Sequence, residues 1–162
     1  MKTIIAYHGK KEVKEFYIDR VKKHRIADEL VKGFYWQDGK GCGIGCTVES
    51  SDHSRYPIEL GIPEMLARLE DCIFEGLPND ESQAWPERFL NAVPVGADLS
   101  MAGAKFLLAI TKRRYDCLNK TGKELVGNAI MKVISILEMW VETGKADKSA
   151  ASSALATGSS RL

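Results

Sequence analysis

Residues 123–142 read KELVGNAIMKVISILEMWVE. Val126, Ala129, Ile130, Val133, Leu137, Trp140 and Val141 recur at steps of three and four, the spacing that puts side chains on one face of an α-helix. Gly144 closes the segment, as glycine commonly does one residue past a helix end. The run from Ala129 to Val141 is too short, and too interrupted by Lys132 and Glu138, to span a bilayer. This is the strongest helical stripe in the chain, and weaker copies of it lie on both sides of several turn signals.

Toward the N-terminus, Leu99, Phe106, Leu107, Ile110 and Cys117 predict a helix that begins at Asp98 or Ser100, with a turn over Asn119–Gly122. Trp85, Phe89, Leu90 and Val93 predict another, capped by Asn79 or Asp80, kinked or started by Pro86 and ended by Pro94. Ile62, Met65, Leu66, Leu69, Cys72 and Ile73 predict a helix entered at Pro63 and stopped by Gly76 and Pro78. Val13, Tyr17, Val21, His24, Asp28 and Val31, widened by Phe16, Ala27 and Leu30, predict a first helix from Lys11 to Lys32 with Gly33 after it. Thr3–Tyr7 reads as a short strand or an extended arm, with His8 an exposed turn residue. No βαβ alternation, fixed-period repeat or hairpin series is present. The expected fold is mainly α: a single-domain bundle of about five helices over residues 1–145, with a loop-rich Gly/Cys insertion at 34–60. Residues 146–162 form an Ala/Ser-rich tail without an apolar stripe.

The chain has 162 residues, enough to bury roughly 70% of its unfolded surface without a disulfide or metal staple. Its net charge of +1 argues against a whole-surface nucleic-acid binder or a disordered charged chain. That balance is a cancellation: residues 10–25 sum to +4, residues 64–87 to −6 and residues 105–123 to +5. Such segments are usually solvated helix faces, or surfaces for a charged partner. Lys112-Arg113-Arg114 is the densest basic point, too short a run to make nucleic acid the main partner. No signal peptide precedes the first helix and no segment reads as a membrane span, so a cytoplasmic location is expected. The cysteines then read as thiols first, metal ligands second and disulfides last.

Four of the fourteen glycines, Gly39, Gly41, Gly43 and Gly45, fall within seven residues beside Cys42 and Cys46. The segment reads as a loop, opening into a strand or helical turn near Cys46-Thr47-Val48. It matches neither the P-loop nor the dinucleotide fingerprint, since no Lys-Ser or Lys-Thr follows and the third glycine is missing in both registers. Lys40, Gly41 and Gly43 could still form an anion nest. Cys42 and Cys46, with His53 and a distant His24 or Cys72, loosely match a zinc ligand set. Cys42 or Cys46 with His53 or His24 as base, and Asp28 orienting His24 from one turn away, would make a nucleophile site. The plainer reading makes both cysteines small core residues and places Cys72 and Cys117 on buried helix stripes. Tyr35 and Trp36 either line a pocket beside the glycines or anchor them on the core. The carboxylates Glu59, Glu64, Glu70 and Asp71 are acid–base candidates only if their environments differ, which spacing does not reveal. No cofactor is required by these patterns, zinc being the one they admit.

The run Tyr35-Trp36-Gln37-Asp38-Gly39-Lys40-Gly41-Cys42-Gly43-Ile44-Gly45-Cys46, with Glu59–Pro63, Ala67–Asp71 and Phe74–Pro78, resembles a group of bacterial and phage open reading frames that end in Ala/Ser-rich tracts. The likeness covers about residues 10–100 and transfers no catalytic residues. It implies a phage or mobile-element setting, where small proteins often bind and block a host protein. The leading expectation is therefore a small cytoplasmic binding or regulatory protein. The alternative is a thiol-dependent enzyme or zinc-dependent protein centred on Cys42 and Cys46, with His53 or His24.

Overall fold

The stripes become helices in a computed structural model that describes residues 3–146; the Ala/Ser-rich tract beyond lies outside the described residues. The fold is mainly α, as the periodicity predicts, with one two-stranded sheet. Backbone contacts divide the chain into two units that meet between Ser100 and Met101.

In the first unit, α1 spans Lys11–Ile26, β1 Trp36–Gln37, β2 Lys40–Gly41, α2 Gly43–Val48, α3 Arg55–Glu59, α4 Glu64–Gly76 and α5 Asn79–Ala92. The N-terminal segment, expected as a short strand or an extended arm, makes a single antiparallel bridge from Ile5 to Asp98. A tight 3₁₀ turn, Ala6–Gly9, follows it, with Tyr7 and His8 in the left-handed region at φ 54° and 52°. Packing holds this unfavourable geometry. Tyr7 is fully buried, its N–H donates to the Leu60 carbonyl at 2.6 Å and its hydroxyl to the Leu90 carbonyl at 2.6 Å.

The first helix stops at Ile26, six residues short of the expected Lys32. Asp28 turns left-handed at φ 57°, and the chain runs extended to pair with Gly41: Val31 N–H donates to the Gly41 carbonyl at 2.8 Å and Gly41 N–H to the Glu29 carbonyl at 3.0 Å. Leu30 is buried through that pairing rather than through helical phase.

The expected glycine loop is a hairpin, and the helical turn expected near Cys46-Thr47-Val48 is the end of a buried helix. Asp38 and Gly39, both at positive φ, form the two-residue turn that pairs Trp36 with Gly41 and Gln37 with Lys40. Asp-Gly is a favoured pair for such a turn because both positions need left-handed backbone. Helix α2 follows at once, and all six of its residues are buried. It packs against α1, α4 and α5. Its glycines let neighbours approach: a Cβ at Gly45 would overlap the Tyr35 carbonyl oxygen, and one at Gly43 would overlap Glu70 Oε1.

Helix α4 buries Ala67, Glu70 and Phe74. Cys72, expected in the core, is exposed. The buried face is rotated from the one the apolar count favours, because α2 and α5 pack on the side that carries Glu70. Pro86 lies inside α5 and is buried.

In the second unit, α6 spans Ala102–Asp116, α7 Lys120–Gly122 and α8 Asn128–Thr143, with a π-type turn, Lys123–Gly127, between the last two. Asn119, expected in a turn, caps α7, its Oδ1 accepting the Gly122 N–H at 2.8 Å. Helices α6 and α8 pack together, burying Ala104, Ile134 and Leu137. Ile110, Val126 and Val133 on the predicted stripes are at least one-third exposed, and Cys117 is exposed rather than core. Two helices side by side cover only a seam, narrower than either stripe. Among the described residues no helix is long and apolar enough to cross a membrane.

Candidate metal centre

Helix α2 is entered at Cys42, whose side chain caps it by accepting the Gly45 N–H at 3.5 Å. The Cys42 N–H donates to the carbonyls of Phe34 and Tyr35, both at 3.1 Å, which fixes the thiol at the junction of hairpin and helix. His53 stands just before α3, in a turn closed by Asp52, whose Oδ1 accepts the Ser54 N–H at 2.9 Å. Asp71 comes from the middle of α4. These three meet: one ligand atom each of Cys42, His53 and Asp71 lie within 4.8 Å of one another. Cys42 is fully buried, His53 is 6% exposed and Asp71 is half-buried.

The electrostatics of the group are unfavourable without a cation. Burial, then the neighbouring Asp71 carboxylate, pushes the Cys42 thiol far above its ordinary value. Burial lowers His53 below the usual histidine range, with Asp71 opposing it. Next to Asp71 in sequence, Glu70 is fully buried, and burial followed by the Asp71 charge raises it well above the carboxylate range. Buried polar atoms are normally paired. Here His53 Nε2, Asp71 Oδ1, both Glu70 carboxylate oxygens and the Tyr56 hydroxyl are buried without a hydrogen-bond partner. The ring of Tyr35, 48% exposed, stands edge-on to His53 at 4.2 Å.

The other sequence candidates separate from this group. Cys46 is buried four residues on, its thiol directed to the Gly41 carbonyl at 3.4 Å and the Glu29 carbonyl at 3.6 Å. Burial pushes it up to about 12, as for a core thiol. His24 is taken by carboxylates, with Nδ1 2.6 Å from Glu29 Oε2 and Nε2 3.4 Å from Glu49 Oε1. Asp28 lies beyond the end of α1, so the expected His24–Asp28 pairing across one helical turn is replaced by His24–Glu29. Trp36 packs edge-on to His24 at 5.4 Å and anchors the hairpin on the core. Of the residues expected in an anion nest, the Gly41 amide donates to the Glu29 carbonyl, Gly43 abuts the Glu70 carboxyl, and Lys40 is exposed. In the second unit, Lys112 pairs with Glu138 at 2.7 Å, while Arg113 and Arg114 are exposed.

Thiolate, imidazole and carboxylate together suit a borderline-soft ion such as zinc, and a thiolate disfavours calcium or magnesium. A dication would neutralise Cys42 and Asp71 and give His53 Nε2 and Asp71 Oδ1 the partners they lack. Sequence reading named Glu70 and Asp71 only among four acid–base candidates, not as partners of Cys42, and missed Tyr56. The available signal was the i, i+3, i+7 set Ala67, Glu70, Phe74, which puts an acid on a face flanked by two small or apolar residues. No protein-family model, curated protein or solved structure matches the chain.

Proposed function

We propose that the chain is a zinc-dependent protein whose ion is held by Cys42, His53 and Asp71. The observation that carries this reading is the convergence of three ligand atoms within 4.8 Å while two of those side chains keep buried atoms unpaired. The thiol-enzyme reading draws on the same Cys42 and His53, but a nucleophilic cysteine needs a lowered thiol, whereas burial, and then Asp71, raise that of Cys42. Four free thiols fit a reducing, cytoplasmic setting.

The test is metal content of the full chain after chelator treatment and reconstitution. One equivalent of zinc is expected for the native sequence and for Cys46→Ala. Separate Cys42→Ala, His53→Ala and Asp71→Ala changes should each abolish tight binding. A native chain that takes up no zinc, or a Cys46→Ala chain that loses as much as Cys42→Ala, refutes the reading.

A second reading, binding to another protein, is favoured by the exposed apolar side chains Leu125, Met131 and Met139 in the second unit. The phage-like resemblance would make that protein a host component. Pull-down with the native chain against a Leu125→Glu, Met139→Glu variant of equal stability tests it; identical recovery would sink it.

A further inference from the structure

An ion on Cys42, His53 and Asp71 leaves three buried atoms unaccounted for: Glu70 Oε1, Glu70 Oε2 and the Tyr56 hydroxyl. Glu70 and Tyr56 are both fully buried. Both adjoin residues of the centre: Glu70 precedes Asp71 on α4, and the Tyr56 N–H donates to the His53 carbonyl at 3.2 Å. Gly43, the residue after Cys42, has no Cβ where Glu70 Oε1 sits, so the carboxyl lies against the first turn of α2. These oxygen atoms, with the Thr47 hydroxyl as the neighbour of Tyr56, call for a partner that both donates and accepts. An enclosed water molecule meets that need, as ordered waters commonly do among otherwise unsatisfied buried groups.

Glu70 is poorly placed to be a ligand itself. Adjacent residues on a helix project about 100° apart, so Asp71 can reach the ion while Glu70 flanks it. We infer that the fourth ligand of the ion is a water molecule enclosed with Glu70 and Tyr56, with the Glu70 carboxyl group positioning it by accepting its hydrogen bond. This inference rests on the zinc reading and adds to it. Three protein ligands and one water make an exchangeable site, the kind found where a metal activates water or polarises a bound oxygen, whereas four protein ligands would make a closed structural one. The class of ligand that would replace the water is a small monodentate anion or a single carbonyl or phosphoryl oxygen. The side nearest solvent is marked by half-buried Asp71 and by the exposed Tyr35 ring against His53.

The experiment uses the full chain loaded with cobalt(II), whose visible absorption reports coordination. Azide is the probe for the exchangeable position. In the native chain azide should shift the cobalt bands saturably. Glu70→Leu should weaken cobalt affinity by about 10- to 100-fold, the usual effect of removing a partner that orients a ligand. It should also raise the thermal midpoint of the metal-free chain, since it removes a buried unpaired carboxyl group. Glu70→Gln keeps an acceptor oxygen and should restore most of the affinity. A purely structural role for Glu70 would move stability and affinity together, not in opposite directions. A chain that binds one cobalt but ignores azide, or whose Glu70→Leu and Glu70→Gln variants bind alike, overturns the water and leaves the zinc reading standing. A chain that binds no metal overturns both.

Discussion

Gly45→Ala tests the packing that places Cys42. Gly45 lies in the middle of α2, where alanine would ordinarily gain about 1 kcal/mol over glycine. The structure reverses that sign. A Cβ at Gly45 would overlap the carbonyl oxygen of Tyr35, a backbone atom, with the Trp36 Cβ at 3.5 Å behind it. Overpacking a buried site costs about 1–3 kcal/mol when side chains can adjust. Here the obstacle is main chain, and that carbonyl also accepts the Cys42 N–H at 3.1 Å. Displacing it forfeits a further hydrogen bond of about 1 kcal/mol. Set against the helix gain, the net loss should be about 1–3 kcal/mol, a fall of about 2–12 °C in thermal midpoint for a chain of this size. Gly76→Ala is the control. It sits at the end of α4 with nothing within 4 Å of its would-be Cβ and no positive φ, and should be neutral or stabilising by up to about 1 kcal/mol. Far-UV circular dichroism melts of the three chains suffice. If Gly45→Ala melts with or above Gly76→Ala, the hairpin does not lie against α2, and the placement of Cys42 beside His53 loses its basis.

Thiol reactivity should divide the cysteines in two pairs. Exposed Cys72 and Cys117 should react promptly with Ellman's reagent, and buried Cys42 and Cys46 only on unfolding; four prompt thiols would contradict the fold. Zinc affinity should rise with pH. The raised Cys42 thiol carries its proton at neutrality and must release it to bind, giving about tenfold tighter binding per pH unit near pH 7. His53, lowered by burial, should add a second proton only below its ordinary value of about 6.5. A flat profile across neutrality, measured by competition with a chromophoric chelator, would remove Cys42 from the ligand set. Tyr7→Phe leaves the buried Leu90 carbonyl without its 2.6 Å partner and should cost about 1–3 kcal/mol in urea unfolding; no change would mean the 3₁₀ turn is not held by that bond.

The stripes were legible as helices: α5 and α8 form where they are predicted, and Leu90 and Leu137 on those stripes are buried, while buried Ile134 lies off the predicted one. They misled where packing came from more than one side or from none. Helix α4 is flanked by α2 and α5, so its phase follows those neighbours and not its own apolar count. Cys72 and Cys117 read as core because cysteine usually is, yet both face outward. The glycine segment failed for a different reason. Its four glycines read as conformational freedom, but only Gly39 uses a positive φ; Gly41, Gly43 and Gly45 are there for proximity. The Asp38-Gly39 pair was a hairpin signal in plain view, hidden by the glycines after it. Proximity is a property of the partner as much as of the glycine, and the partners, the Tyr35 carbonyl and the Glu70 carboxyl, are respectively near and distant in sequence. That is why Glu70 and Asp71 could be named from residue type only as two of four acid–base candidates, and not as partners of Cys42 and His53. An acid on the buried face of a helix is a penalty in any pattern that scores one helix alone. It becomes intelligible only when α2 brings a thiol, and the turn before α3 an imidazole, to the same few ångströms.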